Sequence, residues 1–431
     1  MFIIYDLIFL IVATIYLPVY LFKRKFHRGF LARLGFLPRD LSLNKPIWIH
    51  AVSVGEAMAV RCLVDELRKI YPDKKFVIST VTVTGNKIAQ GIAKQGDFVT
   101  YLPLDWSSIV SSVIDKVMPS LFVIAETEIW PNLITCLYRK NIPIVTVNGR
   151  VSDASFRGYL SIKFLLKPIL EKVSLFCVQT ERDARRLVCL GAPEDKIRIT
   201  GNMKFDVKDY TDSEKTCLPE QVRDYTDYRS KLGLDSKDKL FVAGSTHAGE
   251  EEIILDVYKE LQRDFPNLKL LIAPRHPQRS KDIAKLISRS GFSSVFVSDL
   301  PSDCSTCISQ PVFILDAVGK LVSFYAVADI VFVGGSLIKK GGHNILEPAS
   351  LSKPILFGPH MFNFSDIADL FLNNKAAIKV SGQADLKTNI AELLRNHSRA
   401  IELGRRAQQL ILQNQGATRR NAEYIKTVVP Y

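Results

Sequence analysis

Charged side chains in the first half of the sequence stand where catalysis would need them. Glu56 follows an apolar, strand-like run that ends near His50, and it opens a helical stretch. A carboxylate there can take a proton from a hydroxyl group, and Gly55 lets the backbone approach a ligand closely. A glutamate that only complements the helix dipole is the alternative interpretation. Because ligands of parallel sheets bind beyond the carboxyl ends of strands, we favour a general base.

Glu126 and Lys204 are two further candidates. Glu126 and Glu128 follow the apolar run 121–125, although either acid would also suit an ordinary helix start. Glu126 comes directly after the run, which favours a position at the ligand-binding edge of a sheet. Lys204 precedes the polar segment 209–239, where its ammonium could stabilise a leaving phosphate. A solvated lysine is the alternative.

The second half carries groups that suit a phosphorylated ligand. Arg275 follows Pro274 at the end of an apolar run and offers a planar donor fork. The glycine-rich segment 341–348 supplies free backbone N–H groups near Asn344 and a carboxylate, Glu347, for ribose hydroxyls. The sequence has no P-loop motif and no dinucleotide-binding glycine motif, which disfavours ordinary NTPases and dehydrogenases. Since paired acids at metal-ligand spacing are not apparent, we predict neither a metal nor a cofactor.

Apolar strand-like runs alternate with helical stretches after residue 45 and again after residue 239. Repeated strand–helix units predict parallel sheets covered by helices, so the fold class is α/β with two Rossmann-like domains facing a cleft. This organisation predicts four segments: a membrane-anchor helix at 1–22, an N-terminal acceptor domain at 23–208, a C-terminal donor domain at 209–411 and a helical tail at 412–431.

Charge and the N-terminal segment indicate where the protein works. The 431 residues carry a formal net charge of +13 at pH 7, which favours anionic partners such as phosphate-rich ligands or a membrane surface. No basic stripe with interleaved aromatic residues appears beyond 23–39, so nucleic acid is not expected. Asp6 is the only charge in 1–22, and cations follow that run. This predicts a retained anchor with a cytoplasmic body; a helix in the membrane interface or docked on the body is the alternative.

Seven motifs in fixed order carry a family resemblance. They are H-A-V-S-V-G-E (50–56), E-T-E-I-W-P-N-L (126–133), G-N-M-K-F-D (201–206), S-T-H-A-G-E-E (245–251), A-P-R-H-P (273–277), F-V-G-G-S-L (332–337) and G-G-H-N-I-L-E-P (341–348). In this order they resemble the 3-deoxy-D-manno-octulosonic acid (Kdo) transferase family. The resemblance implies a metal-independent, inverting GT-B-type glycosyltransferase of the inner membrane. It would move Kdo from CMP-Kdo to a lipid A precursor of the lipid IVA type, or to Kdo already attached, in lipopolysaccharide biosynthesis.

The resemblance also implies roles for individual residues. Glu56 corresponds to the general base of the family, and Glu126 and Lys204 correspond to residues that stabilise the transition state. The implied CMP contacts are Pro274, Arg275, Val318, Gly319, Lys320, Asn344, Ile345, Leu346 and Glu347. Lys320 stands where the family often has an acid, so only a backbone contact is expected there.

Two other functions stay open at this point. One is a different GT-B nucleotide-sugar enzyme, such as a UDP-sugar transferase or epimerase. The other is a non-catalytic, membrane-tethered polyanion-binding protein, which explains the charge but leaves the acidic and glycine-rich motifs unexplained. The sequence leaves the number of Kdo residues transferred and the oligomeric state open.

Overall fold

A computed structural model describes residues 5–7, 9–11, 14, 29–206, 225–300 and 311–429. The chain forms two compact units. Residues 1–206 and 414–431 make up the first unit, and residues 207–413 make up the second.

The first unit is built on one parallel sheet. Its described strands are β1 (Ile47–His50), β2 (Phe76–Thr80), β3 (Phe98–Tyr101), β4 (Leu121–Ala125), β5 (Ile144–Gly149), β6 (Leu175–Val178) and β7 (Ile197–Ile199). The order across the sheet is β3-β2-β1-β4-β5-β6-β7. Every residue of β1, β2, β4 and β5 is buried, as expected for strands with helices on both faces.

One short helix precedes these strands along the chain, and further helices follow them. They are α1 (Phe30–Arg33), α2 (Val54–Ile70), α3 (Val83–Ile92), α4 (Ser107–Val117), α5 (Pro131–Arg139), α6 (Asp153–Ser161), α7 (Lys163–Leu170) and α8 (Glu181–Leu190). Ser53, Thr82, Ser152 and Thr180 cap α2, α3, α6 and α8 by accepting a backbone N–H of the first turn. Separate apolar cores form where α2 and α3, or α4 and α5, pack on the sheet.

The second unit repeats this architecture. Its described strands are β8 (Lys239–Thr246), β9 (Leu268–Pro274), β10 (Ser294–Phe296), β11 (Val312–Ile314), β12 (Ile330–Val333), β13 (Ile355–Phe357) and β14 (Ile378–Lys379). All are parallel, in the order β10-β11-β9-β8-β12-β13-β14. The prediction of an α/β fold with two Rossmann-like parallel-sheet domains is therefore confirmed.

The remaining helices complete the chain. They are α9 (Tyr225–Lys231), α10 (Glu250–Asp264), α11 (Ser280–Arg289), α12 (Leu321–Val327), α13 (Leu346–Ser350), α14 (Ser365–Asn373), α15 (Gln383–Arg395), α16 (His397–Asn414) and α17 (Ala417–Val428). Helices α10 and α15 pack together and contribute to the apolar core of the second unit. Of the polar segment 209–239, residues 209–224 lie outside the described residues.

The last helix, α17, packs on the first unit. Ala417 and Ile425 are buried in the same core as α2. The Asp206 carboxylate accepts hydrogen bonds from the backbone N–H groups of Gly416 and Thr418, at the start of the helix. A carboxylate at this end also complements the helix dipole. Apolar packing and one acidic cap therefore join the C-terminal segment to the first sheet.

The N-terminal segment makes polar contacts with the first unit. Asp6 accepts hydrogen bonds from the backbone N–H of Ser107, at 3.3 Å, and from the Asn132 side chain, at 2.7 Å. The Phe9 ring lies 6.1 Å from that of Trp106, centroid to centroid. Most of the predicted anchor, 1–22, lies outside the described residues. Among the residues that are described, no helix combines the length and the apolar character needed to cross a membrane.

Candidate active site

Each sheet has a switch point, where the chain passes from one half of the sheet to the other. In the first sheet this switch point lies between β1 and β4, and in the second it lies between β8 and β12. Ligands of open parallel sheets bind beyond the carboxyl ends of the strands at such points. The segments that follow β1 and β4 are therefore the candidate site of the first unit, and those that follow β8 and β12 are the candidate site of the second.

Glu56 lies in the first turn of α2, directly after β1. Its carboxylate accepts hydrogen bonds from the backbone N–H of Val52, at 2.7 Å, and from the Ser53 hydroxyl, at 2.9 Å. The side chain therefore does cap its own helix, yet an ionised carboxylate has room for further donors such as a substrate hydroxyl. Burial, followed by the negative charge of Glu126, raises the pKa of Glu56. A raised pKa makes the carboxylate a stronger base near neutral pH.

Glu126 follows β4 and forms an ion pair with Lys204. The Lys204 Nζ atom lies 3.1 Å from Glu126 Oε1, and both side chains are about three-quarters buried. Glu126 has a φ of +58°, a left-handed conformation that is strained for a residue other than glycine. Such strain is typical of side chains that are held in place for binding or catalysis.

A short 3₁₀ helix, Met203–Phe205, holds Lys204 in place. The Asn202 side chain accepts the backbone N–H of Lys204 at 2.9 Å, and the Asn148 side chain accepts that of Met203 at 3.0 Å. Asn148 is the last residue but one of β5 and has a φ of +54°. The structure therefore positions Lys204 from the neighbouring strand of the same sheet.

Glu128 is a third carboxylate at this switch point. Burial, then the charges of Glu56 and Glu126, raise its pKa from 4.5 to about 7. Together the three carboxylates and Lys204 form a group that we name the acidic cluster. Its excess of negative charge can take up a proton and can oppose a developing positive charge.

His50 and Trp130 lie beside this group. His50 is fully buried at the end of β1, and burial lowers its pKa to about 4, so the ring is neutral. Its Nδ1 atom lies 3.0 Å from the Ser79 hydroxyl oxygen. The His50 Nε2 and Trp130 Nε1 atoms are buried with no hydrogen-bond partner in the described part of the chain. The centroids of the two rings are 6.4 Å apart.

Three of the predicted nucleotide contacts come together in the second unit. Asn344 donates a hydrogen bond of 3.1 Å to Glu347, and its side-chain oxygen accepts the backbone N–H of Leu346 at the start of α13. Burial raises the pKa of Glu347, while the Asn344 bond and the positive charge of Arg275 oppose that rise. The Arg275 side chain is exposed directly after β9 and is available to a ligand.

The other predicted contacts have different surroundings. Pro274 ends β9, where its ring is buried. The side chains of Ile345 and Leu346 are also buried, so these two positions offer a ligand only backbone atoms. Val318 is 85% exposed, Gly319 has a φ of +88°, and Lys320 is the N-cap of α12. Helix α12 packs on α13, which brings this stretch toward the group around Glu347.

Glu250 connects the loops of the second switch point. Its carboxylate accepts the backbone N–H groups of Gly335, Ser336 and Leu337 after β12, and that of His247 after β8. A buried carboxylate with four such donors is well compensated. The start of α10 therefore supplies its own carboxylate to the neighbouring loop.

Comparison with known proteins identifies the family. The profile of the family described as 3-deoxy-D-manno-octulosonic-acid transferase (kdotransferase) matches residues 28–207. A 3-deoxy-D-manno-octulosonic acid transferase of Haemophilus influenzae is 35% identical, and the alignment covers 88% of this chain and 86% of that protein. A transferase of the same name from Chlamydophila psittaci is 33% identical over 90% and 87%. The chain belongs to this family.

The resemblance inferred from the motifs is thereby confirmed, and this Kdo transferase family member is a glycosyltransferase. A solved UDP-GlcNAc 2-epimerase of Neisseria meningitidis has a related fold, with a TM-score of 0.57 over 89% of this chain and 99% of that one. At 12% identity, this likeness concerns the fold alone.

Several members of the candidate site were not singled out from the sequence. Glu128 was noted beside Glu126 but given no role, and His50 was treated only as part of a motif. The contact between His247 and His343 was also missed, because the two residues are 96 positions apart. A usable signal was present, since each of these residues lies at or just beyond the carboxyl end of a strand or in the glycine-rich segment.

Proposed function

We propose that the chain transfers Kdo from CMP-Kdo to a lipid A precursor of the lipid IVA type, with inversion at the anomeric carbon, in lipopolysaccharide biosynthesis. The observation that carries the proposal is the acidic cluster at the switch point of the first sheet, in a chain of this family. The number of Kdo residues added is left open.

In the proposed reaction, Glu56 removes the proton from a sugar hydroxyl of the acceptor. The hydroxyl oxygen bonds to the anomeric carbon of Kdo as the bond from that carbon to the phosphate oxygen breaks, and the electron pair leaves with CMP. The raised pKa of Glu56 supports its role as the base. No metal or cofactor takes part.

Charge stabilisation supplies the remainder of the mechanism. The sugar develops oxocarbenium character, which Glu126 opposes with its negative charge. Lys204 and Arg275 receive the negative charge that grows on the phosphate. The Lys204–Glu126 ion pair supports this division, because it holds both charges in fixed positions before the substrate arrives.

Backbone and polar groups of the second unit bind the cytidylate part of the donor in this proposal. Asn344 and Glu347 form hydrogen bonds with the ribose, while Arg275 binds the phosphate. Pro274, the 318–320 stretch and the buried residues Ile345 and Leu346 contribute backbone atoms and shape. The Asn344–Glu347 bond supports this role, because it fixes the carboxylate in a defined orientation.

The acceptor is a lipid, so we also propose that the protein works at the cytoplasmic face of the inner membrane. An exposed apolar surface on α6 and α7 supports this: Leu160, Ile162, Phe164 and Leu165 are all exposed, Phe164 by 74%. Arg157, Lys163 and Lys167 lie in the same segment and suit an anionic lipid surface.

A transfer assay tests the function. The purified full chain is incubated with CMP-Kdo and a tetraacylated lipid A precursor, and the lipid is analysed by mass spectrometry. We expect a lipid heavier by one or more Kdo units. A parallel reaction receives UDP-GlcNAc instead, because the fold is shared with an epimerase that acts on that sugar. Turnover of UDP-GlcNAc without Kdo transfer would overturn the proposal.

A further inference from the structure

Two histidines meet at the switch point of the second sheet. His247 follows β8 and His343 lies in the glycine-rich segment after β12, and their Nε2 atoms are 2.9 Å apart. The ring planes are parallel to within 7°, with centroids 5.1 Å apart. Because the centroids are farther apart than the two nitrogens, the rings meet edge to edge with their Nε2 atoms facing each other. The contact is therefore an N–H···N hydrogen bond.

This geometry limits how many protons the pair can hold. One ring donates from Nε2, and the other accepts as the tautomer that carries its hydrogen on Nδ1. The donor ring can gain a second proton on its own Nδ1 without breaking the bond. A further proton would place two N–H groups head to head, so the pair can hold one positive charge.

Most of the side chains that act on the pair are basic. The His276 ring lies 5.9 Å from that of His247. Lys340 and Arg279 also act on His247, and Arg275 acts on His343.

The acids near the pair are already occupied. Glu251 is held by both terminal nitrogens of Arg279, at 2.8 and 3.2 Å. Glu250 accepts four backbone N–H groups, as described above. Burial, together with the surrounding cations, lowers the pKa of His343 to about 4 and also lowers that of His247. Without a ligand, the pair is therefore neutral at pH 7, and the cations Lys340 and Arg275 act on it.

The backbone leaves the pair accessible. Both rings are half-buried rather than enclosed. Gly335 runs beside them with a φ of +67°, and a Cβ atom there would lie 3.0 Å from the His343 ring. Among the described residues, no group of three or more His, Cys, Asp or Glu side chains is arranged to hold a metal ion. The shared ligand chemistry of imidazole, guanidinium and ammonium groups is that of an anion.

We propose that the His247–His343 pair binds an anionic group of the activated sugar, its phosphate or its carboxylate, and takes up one proton from solvent as it does so. This inference rests on the proposed function, because CMP-Kdo carries both a phosphodiester and a sugar carboxylate. An anion beside the pair stabilises the protonated form. It therefore raises the pKa that the surrounding cations lower, and the pair takes up a proton.

Calorimetric titration of the full chain at pH 7 measures the proton directly. Two probes are titrated, cytidine 5′-methyl phosphate and CMP-Kdo, each in buffers of low and high ionisation enthalpy. The first probe has a phosphodiester and no carboxylate. Proton uptake with both probes would show that the pair binds the phosphate. Proton uptake with CMP-Kdo alone would show that the pair binds the carboxylate. Binding of CMP-Kdo without proton uptake overturns the inference.

Variants assign the proton to the pair. His247→Gln and His343→Gln should each abolish the uptake and weaken binding about tenfold, the loss expected for one charge-assisted hydrogen bond. His397→Gln, an exposed histidine of the same unit, is the matched control and should retain both. Uptake that persists in both pair variants overturns the inference.

Two further measurements keep the outcomes separate. Imidazole ¹⁵N shifts of the wild-type chain, recorded with and without CMP-Kdo, report protonation of the pair even if a variant fails to fold. The transfer assay is run on the same preparation. Kdo transfer without proton uptake rejects only the inference about the pair, whereas absence of both transfer and CMP-Kdo binding rejects the proposed function.

Discussion

The two switch points have the same topology and opposite charge. In the first unit, three carboxylates face a single ammonium group, that of Lys204. In the second unit, imidazoles and Arg275 dominate, while Glu250 is bound to backbone N–H groups and Glu251 to Arg279. The parallel sheet determines where a ligand binds, while the side chains after each strand determine which charge is favoured there.

This difference matches the two kinds of charge in the proposed reaction. The acidic cluster suits a proton and an oxocarbenium-like sugar, and the basic group suits the anionic donor. The ion pair in the first unit is an exception within its own region, because Lys204 brings a positive charge into an acidic surrounding. Lys204 is therefore the first residue to change in a test of the difference between the two switch points.

Lys204→Met should have the largest effect of the four variants that follow. It removes a preorganised charge from the transition state and leaves Glu126 unpaired, so we expect kcat to fall about 10²- to 10³-fold. Lys140→Met removes the lysine of a surface ion pair with Asp115 and serves as the matched control. Equal kcat values for the two variants in the transfer assay would show that Lys204 is only structural.

Glu250→Gln tests whether the second switch point depends on its buried carboxylate. In the wild type, the carboxylate oxygens of Glu250 accept backbone N–H groups. The NH₂ group of glutamine cannot accept them, so the free energy of unfolding should fall by about 1–3 kcal/mol. Urea denaturation followed by circular dichroism measures the change. Glu260→Gln on the same helix, whose carboxylate pairs with Lys387 at the surface, should leave the midpoint unchanged.

Arg275→Lys sharpens the comparison on the basic side. Lysine keeps the charge but lacks the planar fork that matches a phosphate, so the affinity for CMP should fall about tenfold. Calorimetry measures the dissociation constant, and Arg289→Lys, an exposed position in the same unit, is the control. Unchanged affinity would argue against a phosphate contact at Arg275.

Glu128→Gln should have the smallest effect, and one that depends on pH. The pKa of Glu128 is raised from 4.5 to about 7 in the fold, so its contribution to stability is complete below pH 4.5 and is lost as the pH rises through 7. The variant cannot ionise, and it should therefore be more stable than the wild type at pH 8 and nearly equal at pH 5. Thermal unfolding at both values measures this, and an equal difference at the two pH values would contradict a raised pKa.

The alternation of strands and helices was sufficient to predict the fold of each unit and the edge at which the site residues lie. Glu56 and Glu126 were selected as candidates because each follows an apolar run, and Lys204 because it precedes the polar segment 209–239. Periodicity shows which face of an element is buried but not which neighbour covers it. For that reason the packing of α17 on the first unit had no counterpart in the sequence pattern.

Most of the site features that the sequence did not predict are contacts between residues far apart in the chain. Lys204 and Glu126 are 78 positions apart, and the two paired histidines are separated by 96. Such contacts depend on the strand order across each sheet, which an alternating pattern leaves undetermined. Charge state is also a property of the assembled fold, since the pKa of Glu128 reaches about 7 only when burial and two other carboxylates act together.

The most direct test of the account compares Glu56→Gln with Glu66→Gln, an exchange on the same helix α2 at a surface ion pair. Transfer of Kdo and the dissociation constant for CMP are measured for both variants and the wild type. Loss of the base should lower kcat about 10²- to 10⁴-fold while CMP affinity stays unchanged, and Glu66→Gln should alter neither. Near-normal kcat in Glu56→Gln would contradict the claim that the acidic cluster performs the chemistry.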